Sequence, residues 1–173
     1  VHRQADWRIG MMGSYPVHDQ TMDIELCFSR DGRRWERPVR TPWVTRDEPH
    51  EAGMLHAPNC LLDADDNWLL LYSASPNRHN EERGEDTPGR SSCVCAARFL
   101  KNRFLGLRSR QGGSSMLWTK PFVMGGTRLY VDAKVDGWLR AELCDPFGVP
   151  IAGFTKGKSS VISGNRVDHE LIW

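Results

Sequence analysis

The stretch "MDIELCFSRDGRRWERP", Met22 to Pro38, decides the fold class, because it joins an alternating segment to a tight turn. Its first half has the period of two residues that a half-buried strand shows, with apolar side chains at Met22, Ile24, Leu26 and Phe28. The rest of the chain offers more patterns of this kind and no long amphipathic helix. We therefore expect an all-β protein.

The turn "SRDGRRW" in this stretch is similar to a degenerate Asp-box, a turn of the sialidase type, although it is one residue shorter than the full motif. A short Asp side chain can accept hydrogen bonds from nearby backbone N–H groups, and glycine tolerates a positive φ. We therefore interpret Asp31 as a residue that stabilises the turn and not as a catalytic acid.

Further strand-like segments are separated by turns spaced about 8–12 residues apart, which is typical of sandwiches and propellers. They include a hairpin in "HAPNCLLDADDNWLLLYSAS", then "CVCAARFL", "TRLYVDAKV" and "WLRAELCD", with tight turns at Gly137 and in "DPFG". The sequence predicts propeller-blade-like strands and a long polar loop (76–92) in residues 1–92. It predicts an antiparallel, jelly-roll-like β-sandwich in residues 93–173.

Composition excludes several classes of partner. The 173 residues carry a formal net charge of +1, which does not suit a nucleic-acid partner. No apolar stretch approaches the roughly 18 residues of a membrane helix, and no signal-peptide core stands at the N-terminus. We therefore expect neither a nucleic-acid nor a membrane partner.

The five cysteines are odd in number and dispersed. Such a set indicates mostly free thiols, which slightly favours a cytoplasmic location. Cys93 and Cys95 share one face of a predicted strand, but residues two apart on a strand do not form an ordinary disulfide comfortably. Because the chain has no C-x-x-C pair and no His cluster at zinc spacing, we expect no metal site and no cofactor.

The segment "DEPHEAGMLHAP", residues 47–58, is the strongest candidate site, since it gathers His50, Glu51 and His56 before a strand. A Glu beside a His can do general acid–base work in a partly buried cleft. The same residues also suit a binding surface, or a loop in which Glu51 caps backbone amides. These alternatives stay open at the level of sequence.

Other residues are candidates for ligand contact. His79 lies in a polar loop at a strand end, where it could contact sugar hydroxyls. Trp118 and Trp138 stand beside polar neighbours at strand ends, so either could stack on a pyranose ring. Most tryptophans of an all-β domain pack in its core instead.

Two long segments together resemble a known family. "DIELCFSRDGRRWERP" with "HEAGMLHAPNCLLDADDNWLLLYSASPNRH" resembles the last blades of five-bladed β-propeller proteins related to glycoside hydrolases of the family 32 and 43 type. The segment from Leu117 onward is similar to the β-sandwich appended to those propellers. It matches among others in "TKP", "RL" at Arg128, "LRAEL" and "GF" at Gly153.

The resemblance implies carboxylates on the inner strands of several blades, and glycosidases need such a pair at a defined separation. The motifs "WMNDP", "RDP" and "EC" are absent from this chain. The resemblance therefore implies a fragment of a larger glycosidase-like protein, a rearranged remnant, or a module whose exposed strand edges pair with another chain.

Three functions follow from this reading. The first is a non-catalytic carbohydrate-associated binding or accessory module. The second is an active glycoside hydrolase that uses Glu51 and a second carboxylate, Asp23 or Asp47. The third is an assembly protein that forms a homo-oligomer through its strand edges.

Overall fold

The computed structural model describes residues 1–57, 61–81, 92–110 and 113–173. These residues form antiparallel β-sheets and one short 3-10 helix, with no α-helix among them, so the predicted all-β fold class is confirmed. They divide into two compact units, Val1–Gly106 and Leu107–Trp173. None of the helices in the described ranges is long and apolar enough to cross a membrane.

The first sheet of the N-terminal unit contains three antiparallel strands in chain order. They are β1 (His2–Gln4), β2 (Trp7–Ser14) and β3 (Asp23–Ser29). The alternating segment predicted from the sequence therefore forms β3, and Ile24 near its start is fully buried.

The second sheet is built around a long central strand. Strand β6 (Asn67–Ser75) pairs on one side with β4 (Met54–His56) and β5 (Leu62–Ala64), and on the other side with β7 (Cys93–Leu100). The predicted hairpin is present as β5 and β6. Residues 58–60 of that hairpin and residues 82–91 of the predicted polar loop lie outside the described residues.

The two sheets meet at a parallel bridge between Met22 and Met54. The backbone N–H of Leu55 donates to the carbonyl of Met22 at 2.9 Å, which links the end of one sheet to the start of the other. Apolar side chains from both sheets form one core, whose buried members are Ile24, Val44, Leu55, Leu61, Leu70, Tyr72 and Ala74. The 3-10 helix η1 (Pro49–Glu51) immediately precedes β4.

The C-terminal unit contains one antiparallel pair, β8 (Leu129–Leu139) and β9 (Ile162–Leu171). The predicted tight turn at Gly137 is wrong, because β8 runs through this residue. Its pairing with β9 is irregular between Val135 and Leu139 and resumes at Leu139 with Ile162. The predicted strand "WLRAELCD" is wrong beyond Leu139, because β8 ends there. The predicted turn in "DPFG" is confirmed by a hydrogen bond of 3.0 Å from the Gly148 N–H to the carbonyl of Asp145.

The structure divides the chain after Gly106, whereas the sequence predicted a boundary between residues 92 and 93. A division between residues 92 and 93 would separate β7 from β6, although these strands pair from Asn67–Leu100 to Ala74–Cys93. Strand β7 therefore belongs to the N-terminal unit. Within residues 107–110 and 113–173, the antiparallel structure is the β8–β9 pair, and no second sheet is packed on it.

Candidate functional site

The turn after β3 is held by Asp31, as the sequence predicts. Its Oδ1 accepts hydrogen bonds of 2.8 Å from the backbone N–H groups of Arg33 and Arg34. These two backbone donors, followed by the hydroxyl of Ser29, lower the pKa of the Asp31 carboxyl although it is exposed. Gly32 has a φ of 78°, which a residue with a side chain rarely adopts. The carboxylate of Asp31 therefore stabilises the turn, as the sequence predicts.

Glu51 is the buried centre of the segment predicted as the strongest candidate. It ends η1, only 5% of its surface is exposed, and its Oε1 accepts a hydrogen bond of 2.5 Å from the hydroxyl of Tyr72. Its Oε2 accepts a second bond, of 3.3 Å, from the backbone N–H of Glu48. The carboxylate thus accepts hydrogen bonds from a backbone amide and from a buried phenol hydroxyl. Both bonds stabilise the fold, which is a structural role.

Tyr72 reaches Glu51 because strand alternation turns Leu70, Tyr72 and Ala74 towards the core. On the neighbouring strand β7, Cys95 lies directly opposite Tyr72. Burial raises the pKa of Tyr72, and the adjacent Glu51 raises it further. Burial, followed by the bond to Cys93, raises the pKa of Cys95 to about 11. Phenol and thiol therefore stay protonated at neutral pH.

His50 approaches the same two cysteines from η1. One ligand atom each of His50, Cys93 and Cys95 lies within 4.8 Å of the others, and all three residues are half-buried. The sequence predicted that Cys93 and Cys95 share one face of a strand. It did not predict their proximity to His50, which is distant from them in the chain. The sequence did not reveal the path of η1, which brings His50 close to β7.

The other candidate carboxylates are also engaged. Asp23 forms an ion pair of 2.6 Å with Arg46, whose guanidinium also donates to the carbonyl of Ala52. This pair fastens β3 to the segment after η1. Asp47 accepts a hydrogen bond of 2.6 Å from the hydroxyl of Thr45. Each of the three predicted carboxylates, Glu51 included, therefore has a local partner.

The remaining predicted histidines lie on the surface of the same unit. His56 ends β4 with an exposed side chain. His79 packs its ring on Tyr15 at 5.4 Å between centroids, and its Nδ1 lies 2.8 Å from Oδ1 of Asn80. Both lie outside the cavity that contains Trp138 and the one that contains Trp7.

A separate cavity lies in the C-terminal unit, with a volume of about 320 Å³. It is lined by Trp138, Arg140, Lys156 and Val161. The indole of Trp138 is 59% exposed and stands on the exposed part of β8. An open aromatic face beside two cationic donors suits a ring that carries hydroxyl or carboxylate groups.

Trp118 has the same exposure as Trp138 but a different setting. It is 61% exposed, and its ring lies 4.0 Å from the position that a Cβ atom on Gly148 would occupy. It does not line the cavity. The structure therefore separates the two predicted platforms, and only Trp138 has charged neighbours in a concave site.

No protein-family model, curated protein or solved structure matches this chain. The resemblance to glycosidase-like propellers therefore stays a prediction. The function has to be inferred from the geometry of the described residues.

Proposed function

We propose that this protein is a carbohydrate-associated binding module without turnover of its own. The observation that carries the proposal is the cavity in which Trp138 lies beside Arg140 and Lys156. Sugar rings present an apolar face to an indole and hydroxyl groups to hydrogen-bond donors around it. The cavity offers both kinds of contact in one place.

The charge at the cavity favours an acidic sugar. Arg140 and Lys156 are both exposed, and neither forms an ion pair with another described residue. A uronic-acid carboxylate would be a suitable acceptor for either side chain, and above all for the planar guanidinium. A neutral oligosaccharide would gain only the stacking and the hydroxyl contacts.

The state of the carboxylates favours binding over hydrolysis. A glycosidase needs an acid and a nucleophile or base that reach the substrate. Here Glu51 is buried beneath Tyr72, and Asp23 is held by Arg46. Both carboxylates are therefore engaged with partners from the protein itself.

Calorimetric titration with a panel of neutral and uronic-acid oligosaccharides tests the proposal. We expect Trp138→Ala to weaken binding at least tenfold, which corresponds to about 1.4 kcal/mol, and Trp118→Ala to leave it unchanged. Because both indoles are largely exposed, both variants should fold. A panel without any binder, or equal affinities of the wild type and Trp138→Ala, would refute the proposal.

A further inference from the structure

Three side chains with metal-binding atoms converge at one edge of the N-terminal unit. The ligand atoms of His50, Cys93 and Cys95 all lie within 4.8 Å of one another. We propose that these residues bind one Zn²⁺ ion. The proposed site belongs to a different unit from the Trp138 cavity, so it stands independently of carbohydrate binding.

The two thiols already have the spacing that a zinc site requires. Cys93 and Cys95 are two residues apart on β7, so their side chains leave the same face of the strand. Their Sγ atoms are 3.5 Å apart. In a tetrahedral site with Zn–S bonds of about 2.3 Å, two sulfur atoms lie about 3.8 Å apart. The pair therefore needs almost no rearrangement.

The imidazole of His50, presented by η1, completes the set. A tetrahedral site places a nitrogen and a sulfur ligand about 3.5 Å apart, given Zn–N bonds of about 2.0–2.1 Å. The present separations, within 4.8 Å, need a contraction of the kind that rotation of one side chain provides. His50 is half-buried, so an ion can enter from solvent while the site remains partly shielded.

The chemistry of the ligands favours zinc over hard cations. Two thiolates and one imidazole are soft and borderline donors, which hold Zn²⁺ well and bind Mg²⁺ or Ca²⁺ poorly. On binding, the two thiols become thiolates and release their protons to solvent, while the imidazole coordinates in its neutral form. Three protein ligands leave the fourth position to water or to another donor.

A polar chain behind the thiols supports the proposed ligands. Cys95 lies directly opposite Tyr72 on the paired strand, and the hydroxyl of Tyr72 donates to Glu51 at 2.5 Å. Such outer contacts orient metal ligands and restrict their side chains. Glu51 directly follows His50, so the same carboxylate also fixes the end of η1 that presents the imidazole.

A core role alone accounts for the cysteines but not for the histidine. Cys93 and Cys95 pack against the hydrophobic core, as free thiols often do. A core role does not require an imidazole beside both sulfur atoms. With zinc bound, η1 would be tied directly to β7, which otherwise pairs only with β6 among the described strands.

Metal titration of the reduced, metal-free full chain tests the proposal. With a phosphine reductant present, we expect one Zn²⁺ per chain in native mass spectrometry. We expect Co²⁺ to give the visible absorption of a tetrahedral ion and a sulfur-to-cobalt charge-transfer band. Bound zinc should protect Cys93 and Cys95 from alkylation and leave Cys27 and Cys144 reactive, a result that needs no variant.

Variants with matched controls locate the ion. We expect Cys93→Ser, Cys95→Ser and His50→Ala each to lower zinc affinity at least tenfold. The controls Cys27→Ser and His18→Ala, which lie outside the cluster, should bind as the wild type does. Absence of stoichiometric zinc, alkylation of Cys93 and Cys95 at the same rate with and without zinc, or equal losses in the controls would overturn the proposal.

Discussion

The two units of this chain use their apolar residues differently. In the N-terminal unit, buried residues such as Leu55 and Leu70 from two sheets close over one core. In the described part of the C-terminal unit, Ile162 is the one buried apolar residue, while Trp118, Phe147 and Val123 are largely exposed. The comparison indicates that packing of buried apolar side chains determines the stability of the first unit. In the second unit most apolar side chains lie on the surface, so each contributes little to the free energy of unfolding.

The largest expected effect is a cavity in the first core. Leu70 is fully buried, so Leu70→Ala should lower the free energy of unfolding by about 3–4 kcal/mol. Phe147 is 91% exposed, so Phe147→Ala should change it by less than about 0.5 kcal/mol. Peptide-resolved hydrogen exchange measures each unit separately. Similar losses in the two variants would contradict the comparison.

A smaller loss is expected from Gly53→Ala. A Cβ atom there would collide with the backbone of Asn77, which cannot move as a side chain can, so we expect a loss of about 2–3 kcal/mol. Gly137 in β8 has nothing within 4 Å of the same position, so Gly137→Ala serves as the control. Urea denaturation of the two variants measures this difference. An unchanged midpoint for Gly53→Ala would show that Gly53 does not approach the backbone of Asn77 closely.

Removal of one hydroxyl tests the buried polar pair. Tyr72→Phe leaves Oε1 of the buried Glu51 without its donor, and we expect a loss of about 2 kcal/mol. Tyr130 is 52% exposed in β8, so Tyr130→Phe should lie within about 0.5 kcal/mol of the wild type. If thermal denaturation shows equal stabilities for both variants, the hydrogen bond to Glu51 contributes nothing.

The smallest expected effect concerns pH. Burial by itself would raise the pKa of Glu25, but hydrogen bonds from Ser14 and Arg37 and the charge of Arg37 hold it below its ordinary value of 4.5. Ionised Glu25 therefore stabilises the first unit above pH 4.5, and this contribution is lost as the pH falls through the lowered pKa. We expect Glu25→Gln to flatten the pH dependence of stability below pH 4.5.

The exposed pair Arg166–Asp168 of the second unit is the control for that pH profile. Its side chains are 63% and 61% exposed, so solvent screens their attraction and Asp168→Asn should leave the stability profile unchanged. A flatter profile for Asp168→Asn, or an unaltered one for Glu25→Gln, would show that burial does not distinguish the two pairs.

Local patterns predicted several strands. "NWLLLYSAS" and "CVCAARFL" coincide with β6 and β7, because runs of strand-forming residues are visible in the sequence itself. The turn predicted at Gly137 is wrong, since β8 resumes its pairing with β9, which is remote in sequence, at Leu139 beyond that glycine. Local turn signals cannot report such a long-range pairing.

The candidate sites were predictable only in part. The polar neighbours of Trp138 in the sequence predicted that its indole is exposed. The sequence did not predict that Lys156 lines the same cavity, because the fold of the unit brings these two residues together. His50 and Glu51 were recognised as chemically capable, but their partners Cys93, Cys95 and Tyr72 come from distant strands. Contacts of this kind depend on strand register and on the path of η1, which composition and spacing do not reveal.

The most direct test of carbohydrate binding is hydrogen exchange of the full chain, with and without the oligosaccharide that binds best in calorimetry. We predict slower exchange in peptides that contain Trp138, Arg140 and Lys156, and no change in peptides from residues 47–57. Protection of residues 47–57 without protection around Trp138 would contradict the account and return the ligand site to the Glu51 segment.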